Sequence, residues 1–143
     1  MAVVILLAGC EKLGDEDPDL DRSSTPRPAV LFDQVHSRRH SPLAVLGRDD
    51  YKYNTVQGYG LLVEYLKELG FDHRFHHEGR ITAKVLSRAD IYVLGLMDNE
   101  KPPLAPEEIE AIVEFVQAGG GLLVVVDHTN VYDSAQLANT LLG

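Results

Sequence analysis

The sequence predicts an α/β domain in which helices flank an open parallel sheet. From Ala29 onward, short apolar runs typical of buried strands alternate with segments of helical periodicity. This alternation implies right-handed crossovers between parallel strands. The chain has 143 residues, of which 45% are hydrophobic, so it can form one domain with a substantial core.

The first half of this region predicts three strands and two helices. An apolar run over residues 29–32 ends in Asp33 and predicts a buried strand. A helix is predicted over about residues 55–69, because apolar residues recur at helical spacing and Gly70 stands where a C-terminal cap belongs. Residues 71–76 alternate in polarity and predict a less buried strand, whose histidines face solvent (His73 and His76, followed by His77). Thr82 can cap a short helix through Leu86, and residues 91–96 form another buried strand.

The second half contains the clearest unit. Pro106 begins a helix that carries Glu107 and Glu108 in its first turn, where carboxylates interact favourably with the helix dipole. Glycines 119–121 end this helix, the apolar residues 122–126 form a central strand, and residues 134–142 form a final helix. Because doubly wound sheets usually have five or six strands, these four predict a domain that is truncated at its C-terminus.

The amino-terminal segment predicts a lipid anchor. Residues 2–8 are continuously apolar and are followed by Gly9 and Cys10. The four residues Leu7-Ala8-Gly9-Cys10 resemble the lipidation box of bacterial lipoproteins. The resemblance implies a signal segment over residues 1–10 with Cys10 as the lipidated residue, an acidic and Pro/Ser-rich tether over 11–28, and the α/β domain over 29–143. The positive start of a secretory signal is missing. In the alternative interpretation, the apolar run is a buried first strand and Cys10 is a core thiol.

Composition excludes several classes of function. A net charge of −9 argues against binding to nucleic acid, which requires clustered lysines and arginines. A single cysteine excludes an internal disulfide and a cysteine-rich zinc site. No apolar run approaches the roughly 20 residues that span a bilayer, so contact with a membrane requires the lipid anchor.

Candidate site residues gather where the predicted strands end. Ligands bind open parallel sheets beyond the carboxyl ends of the strands, and polar residues follow those ends here. The candidate ligand-binding residues are Asp33, His36, Asn54, Asp127, His128 and Asn130. Each also has a simpler interpretation, because Asp and Asn cap turns and most histidines in loops are solvated. Mixed oxygen and nitrogen ligands would suit a metal, but no metal-binding motif is present, and the sequence predicts neither a metal nor a cofactor.

Three stretches carry a resemblance to a family. These are Leu31-Phe32-Asp33-Gln34-Val35-His36, the strand and helix over residues 90–108, and the glycines at 119–121 with the strand that leads to Asp127-His128. Together they resemble the class I glutamine-amidotransferase-like superfamily, and within it uncharacterised bacterial domains such as DUF4350 and gliding-motility branches. The resemblance implies a flavodoxin-like, three-layer fold. Active members place a cysteine in the elbow after the fourth strand, where this chain has Asp127 and His128, so no catalytic residue can be carried over.

These observations predict a lipid-anchored, non-catalytic domain of the bacterial cell envelope that faces the periplasm or exterior. Its partner would be a small polar or carbohydrate-like ligand, or a protein of the envelope. Two alternatives stay open at this point. One is a hydrolase that uses the Asp–His groups at the strand ends, with or without a metal, and the other is a structural component of an envelope transport or motility assembly.

Overall fold

The computed structural model describes residues 2–6, 26–37, 60–126 and 129–143. Its strands are β1 (Ala2–Leu6), β2 (Ala29–Asp33), β3 (Asp72–His76), β4 (Ile91–Leu94) and β5 (Gly121–Val126). Its helices are α1 (Gly60–Glu68), α2 (Ala83–Leu86), α3 (Pro106–Gln117) and α4 (Ser134–Leu142), with a turn of 3-10 helix at Val131–Asp133 before α4. The predicted alternation of strands and helices is therefore confirmed.

The strands form one sheet in the order β1-β5-β4-β2-β3. The four strands from β2 to β5 run parallel, which confirms the predicted open α/β sheet with flanking helices. β1 is a fifth strand that pairs antiparallel with β5, with Ala2 opposite Val126 and Leu6 opposite Leu122. The apolar amino-terminal segment therefore forms a strand, as in the alternative interpretation of the sequence. The lipoprotein signal stays a prediction, and Cys10 lies outside the described residues.

Two apolar layers cover the two faces of the sheet. On one face, Val30 and Phe32 of β2 and Val93 of β4 pack against Val63 of α1. On the other face, the core side chains come from the strands and from α2, α3 and α4. This second cluster includes Leu31, Tyr92, Leu94, Leu122, Val124, Leu86, Ile112, Ala138 and Leu141. Because successive strand residues point to opposite faces, strands buried on both sides are apolar throughout, as the sequence predicted.

The helix ends follow local rules of the sequence. The Thr82 hydroxyl accepts a hydrogen bond from the Val85 amide and caps α2. Pro106 occupies the first turn of α3, and beyond its other end Gly119 adopts a φ of 101°. α3 is the longest described helix at 12 residues. None of the described helices is both long and apolar enough to cross a bilayer.

The strand order places a switch point at the centre of the parallel sheet. The chain passes from β2 to its neighbour β3 and then crosses back over β2 to form β4. Crossovers therefore leave β2 and β4 in opposite directions, which opens a crevice beyond their carboxyl ends. Asp33 ends β2 at this crevice, and the loop that contains Met97 and Asp98 follows β4.

The core on the α3 face predicts a stability difference between two adjacent residues. Ile112 is 1% exposed in that core, whereas its neighbour Val113 is 40% exposed. Ile112→Ala should lower the free energy of unfolding by about 2–5 kcal/mol, because it removes buried methyl groups and leaves a cavity. Val113→Ala is the matched control and should change stability by less than about 0.5 kcal/mol. Urea unfolding measures both variants, and equal losses would contradict this packing.

Candidate functional site

Three loops meet at the carboxyl edge of the sheet. The loop after β2 contacts the loop after β4 through an antiparallel bridge between Ser37 and Met97. The loop after β4 is joined in turn to the loop after β5, because the Asn99 amide donates to the Tyr132 carbonyl at 3.1 Å. The Asn99 side chain also donates to Asp133 Oδ2 at 2.9 Å. The structure thus brings together the strand ends that the sequence marked as candidates.

Asp33 fixes the loop after β2. Its Oδ1 accepts hydrogen bonds from the backbone amides of His36 at 2.7 Å and Ser37 at 3.2 Å, which folds the chain into a tight turn. Its Oδ2 accepts a hydrogen bond from the Tyr92 hydroxyl at 2.6 Å and lies 2.9 Å from His36 Nδ1. Asp33 and His36 are both 3% exposed and Tyr92 is fully buried. The Asp33 carboxylate therefore joins the loop after β2 to the Tyr92 side chain of the neighbouring strand β4.

His36 lies between two carboxylates. Its second ring nitrogen, Nε2, is 3.4 Å from Glu108 Oε1, at the amino end of α3. Glu108 Oε1 also accepts from the Ile81 amide at 2.8 Å, and Glu108 Oε2 accepts from the Ala105 amide at 2.8 Å. Glu108 is itself only 3% exposed. The loop after β2, the segment before α2 and the start of α3 are therefore joined through one buried array, Asp33–His36–Glu108.

Contacts within the array oppose the effect of burial on the pKa values of Asp33 and His36. Burial raises the pKa of the Asp33 carboxyl, but the hydrogen bond and charge of His36, with the Tyr92 hydroxyl, outweigh it and hold that pKa below its usual value. Burial lowers the pKa of His36, but Asp33 and then Glu108 outweigh it and raise that pKa above its usual value. Burial and the charge of Asp33 raise the pKa of Tyr92 well above its usual value, so Tyr92 is a neutral donor. The contacts of His36 thus favour the imidazolium form of its ring.

The geometry gives His36 a positioning role. Both of its ring nitrogens face carboxylates, and its side chain is buried. The Asp33–His36 pair therefore holds the loop after β2 in place.

Asn130 has a structural role that its position explains. It adopts a left-handed conformation with a φ of 55°, which asparagine tolerates better than most residues. Its Oδ1 accepts from the amides of Ala135 at 3.0 Å and Gln136 at 3.4 Å in the first turn of α4. Asn130 therefore stabilises the first turn of α4, and its role in ligand binding stays a prediction.

Other candidates lie outside the described residues, namely Asn54, Asp127 and His128. Within the described ranges, no group of three or more His, Cys, Asp or Glu side chains could hold a metal ion. The second-strand histidines meet the prediction only in part. His77 is exposed, whereas His73 and His76 are half-buried because β3 pairs with β2 and carries Phe75 into the core.

The sequence predicts neither the place of Glu108 in the array nor the hydrogen bond from Tyr92 to Asp33. Glu108 stands in the first turn of a predicted helix, where it suits the helix dipole, and nothing local points to His36. Tyr92 falls within a predicted buried strand. The hydroxyl of a buried tyrosine requires a hydrogen-bond partner, and this requirement is the signal by which the sequence could indicate a polar contact for Tyr92.

Searches for a matching protein family, for similar curated proteins and for similar solved structures find none for this chain. The resemblance to the glutamine-amidotransferase-like superfamily therefore stays a prediction.

The charged array predicts how stability depends on pH. His36 has a raised pKa in the folded chain, so its stabilising contribution is full below about pH 6.5 and is lost as pH rises through the folded pKa. Asp33 has a lowered pKa, so its contribution is full above about pH 4 and is lost as pH falls through its folded value. The free energy of unfolding should fall from pH 6 toward pH 9, and His36→Gln should remove most of that slope.

The matched control for this measurement is His77→Gln, because His77 is exposed and contacts neither carboxylate of the array. Urea unfolding at each pH gives the two slopes. If His36→Gln and the wild-type chain lose stability in parallel as pH rises, His36 does not hold its proton between Asp33 and Glu108.

Proposed function

We propose that this chain is a non-catalytic α/β domain that binds a small polar or carbohydrate-like ligand at the carboxyl edge of its sheet. We further propose that Cys10 anchors it by a lipid to the bacterial envelope, facing the periplasm or exterior. The binding proposal is supported by geometry, and the anchoring proposal is supported by the lipidation box in the sequence.

One observation carries the binding proposal. The loops after β2, β4 and β5 are joined side by side at the switch point of the sheet, through the Ser37–Met97 bridge and the hydrogen bonds of Asn99. Crevices at such switch points are where open α/β sheets bind ligands. Hydrogen bonds that join the described parts of these loops before a ligand arrives would reduce the entropy lost on binding.

The non-catalytic part of the proposal rests on the array. The His36 ring is buried and both its nitrogens face carboxylates, which supports a positioning role for its pair with Asp33 over the activation of a nucleophile. The sole cysteine of the chain, Cys10, lies between β1 and β2 in the sequence, so an attack by a thiolate from the elbow after β5 is ruled out by the sequence.

A second candidate is a component of an envelope assembly that binds a partner protein. It is favoured by two apolar side chains on the outer face of α1, Tyr65 at 57% and Leu69 at 54% exposure. They lie four positions apart, so they share one face of the helix. Tyr65→Ser with Leu69→Ser would abolish such an interaction and leave binding at the sheet edge intact.

Binding at the carboxyl edge is tested by loosening two of its loops. In wild-type protein, a small polar ligand found by thermal shift should raise Tm in a saturable manner. Asn99→Ala removes the side-chain bond to Asp133 and should weaken that ligand about tenfold, the equivalent of one hydrogen bond. The matched control is Asn139→Ala, an exposed position near the other end of α4.

Two outcomes of that experiment would contradict the proposal. In the first, no compound in a panel of neutral sugars, polyols, amino acids and small anions raises Tm in a saturable manner. In the second, a ligand binds wild type, Asn99→Ala and Asn139→Ala with the same affinity, which would place its site away from this edge.

The anchor is tested by the mass of the mature chain. A chain that is processed at Cys10 has lost residues 1–9, and with them β1. Processing therefore excludes the pairing of Ala2–Leu6 with β5. When the full chain is expressed in a bacterium, we expect membrane-bound protein that begins at Cys10 and carries acyl groups. Cys10→Ser should leave it unprocessed and outside the membrane fraction. An intact, unacylated amino terminus in the wild-type chain would overturn the anchor and leave β1 in place.

A further inference from the structure

Two buried polar atoms in the loop after β2 have no hydrogen-bond partner. They are the side-chain nitrogen of Gln34 and the hydroxyl oxygen of Ser37, and no other buried side-chain polar atom of the described residues is unpaired. Gln34 is 3% exposed and Ser37 is 1% exposed. Gln34 follows Asp33 directly and Ser37 follows His36, so both lie at the carboxyl end of β2, beside the switch point.

The unpaired atom of Gln34 does not depend on how its amide is turned. Its Oε1 lies 2.7 Å from His77 Nδ1, and its backbone amide donates to the His76 carbonyl at 2.9 Å. If the amide were reversed, His77 would engage the nitrogen and the oxygen would be left unpaired. In either orientation, His77 satisfies one terminal atom of the side chain and the other has no partner.

The two unpaired atoms call for an explanation beyond folding. A buried polar atom without a partner costs free energy, because it loses its hydrogen bonds to water. Gln34 offsets part of this cost through the contact of its Oε1 with His77, whereas the Ser37 hydroxyl has no partner. The other polar groups of this loop, by contrast, are paired, since Asp33 and His36 satisfy each other and the turn. A bound group that supplies the missing partners would account for both atoms.

We propose that Gln34 and Ser37 bind an uncharged, hydroxyl-bearing ligand, such as a sugar or a polyol. This inference rests on the proposed function and adds to it the two contact residues and the ligand class. A ligand hydroxyl can donate and accept, so it satisfies the serine hydroxyl and either orientation of the glutamine amide.

The charges around these loops favour an uncharged ligand. Carboxylates outnumber the cationic side chains among the described residues that form or contact the three loops. The carboxylates are Asp33, Asp98, Glu100, Glu108 and Asp133, and the cations are His36 and Lys101. Among these described residues the balance of charge favours an uncharged hydroxyl over an anion.

The test compares a double variant with a matched control. Gln34→Met with Ser37→Ala removes both unpaired atoms, and Gln117→Met with Ser87→Ala changes the same residue types at exposed positions on the opposite edge of the sheet. The probes are d-glucose, N-acetyl-d-glucosamine and myo-inositol, each titrated to about 10 mM, with sodium phosphate as the anionic probe. Tm is measured by calorimetry on the full chain.

We expect at least one uncharged probe to raise the Tm of the wild-type and control proteins in a saturable manner. The double variant should show no such rise. Because Gln34→Met also removes the contact between Gln34 Oε1 and His77 Nδ1, the saturable rise in Tm, and not the Tm without a probe, is the readout.

Three results would overturn the inference. If no uncharged probe gives a saturable rise, a buried water or nothing at all occupies the site. If the double variant keeps the rise, the ligand binds elsewhere. A saturable response to phosphate that is lost in Asn99→Ala but kept in the double variant would refute this inference while supporting the proposed function.

Discussion

The imidazolium of His36 between Asp33 and Glu108 is the interaction on which the carboxyl edge depends. Asp33 holds the turn after β2, and Glu108 holds the start of α3 and the segment before α2. His36 is the one side chain that contacts both carboxylates. Without its positive charge, two buried carboxylates would face a shared site with no cation between them. The position of the loop therefore follows from the charge of one ring.

Such an array is better suited to positioning than to adding stability. Moving three charged groups out of water costs free energy that their attraction repays only with good geometry, and hydrophobic replacements of buried ion pairs are often neutral or stabilising. Here the remaining lone pairs of both carboxylates are satisfied by backbone amides and by the Tyr92 hydroxyl. The result is a turn of defined shape, which contains the buried side chains of Gln34 and Ser37 beside the switch point. The Ser37–Met97 bridge and the bonds of Asn99 extend the order to the next two loops.

Local rules of sequence predicted much of this structure and failed where partners are distant. β2, β4 and β5 were predictable because strands buried on both faces are continuously apolar, and α3 because Pro106 and the glycines mark its ends. Asp33 and His36 were predictable as candidates from the edge of the sheet on which they fall. The link from His36 to Glu108 was not, since its two residues are far apart in the chain. The pairing of Ala2–Leu6 with β5 was not either, because an apolar segment of that length suits both a strand and a signal.

The protonation of His36 is the most direct test of this account. In protein labelled with nitrogen-15, the shifts of the two ring nitrogens report whether each carries a proton. The account predicts that both His36 nitrogens stay protonated as pH rises past about 6.5, where a histidine in a model peptide loses its proton. It also predicts that Glu108→Gln shifts that titration to lower pH, whereas the exposed neighbouring Glu107→Gln leaves it in place. A neutral His36 ring at pH 6, with one unprotonated nitrogen, would contradict the account and restore His36 as a candidate base.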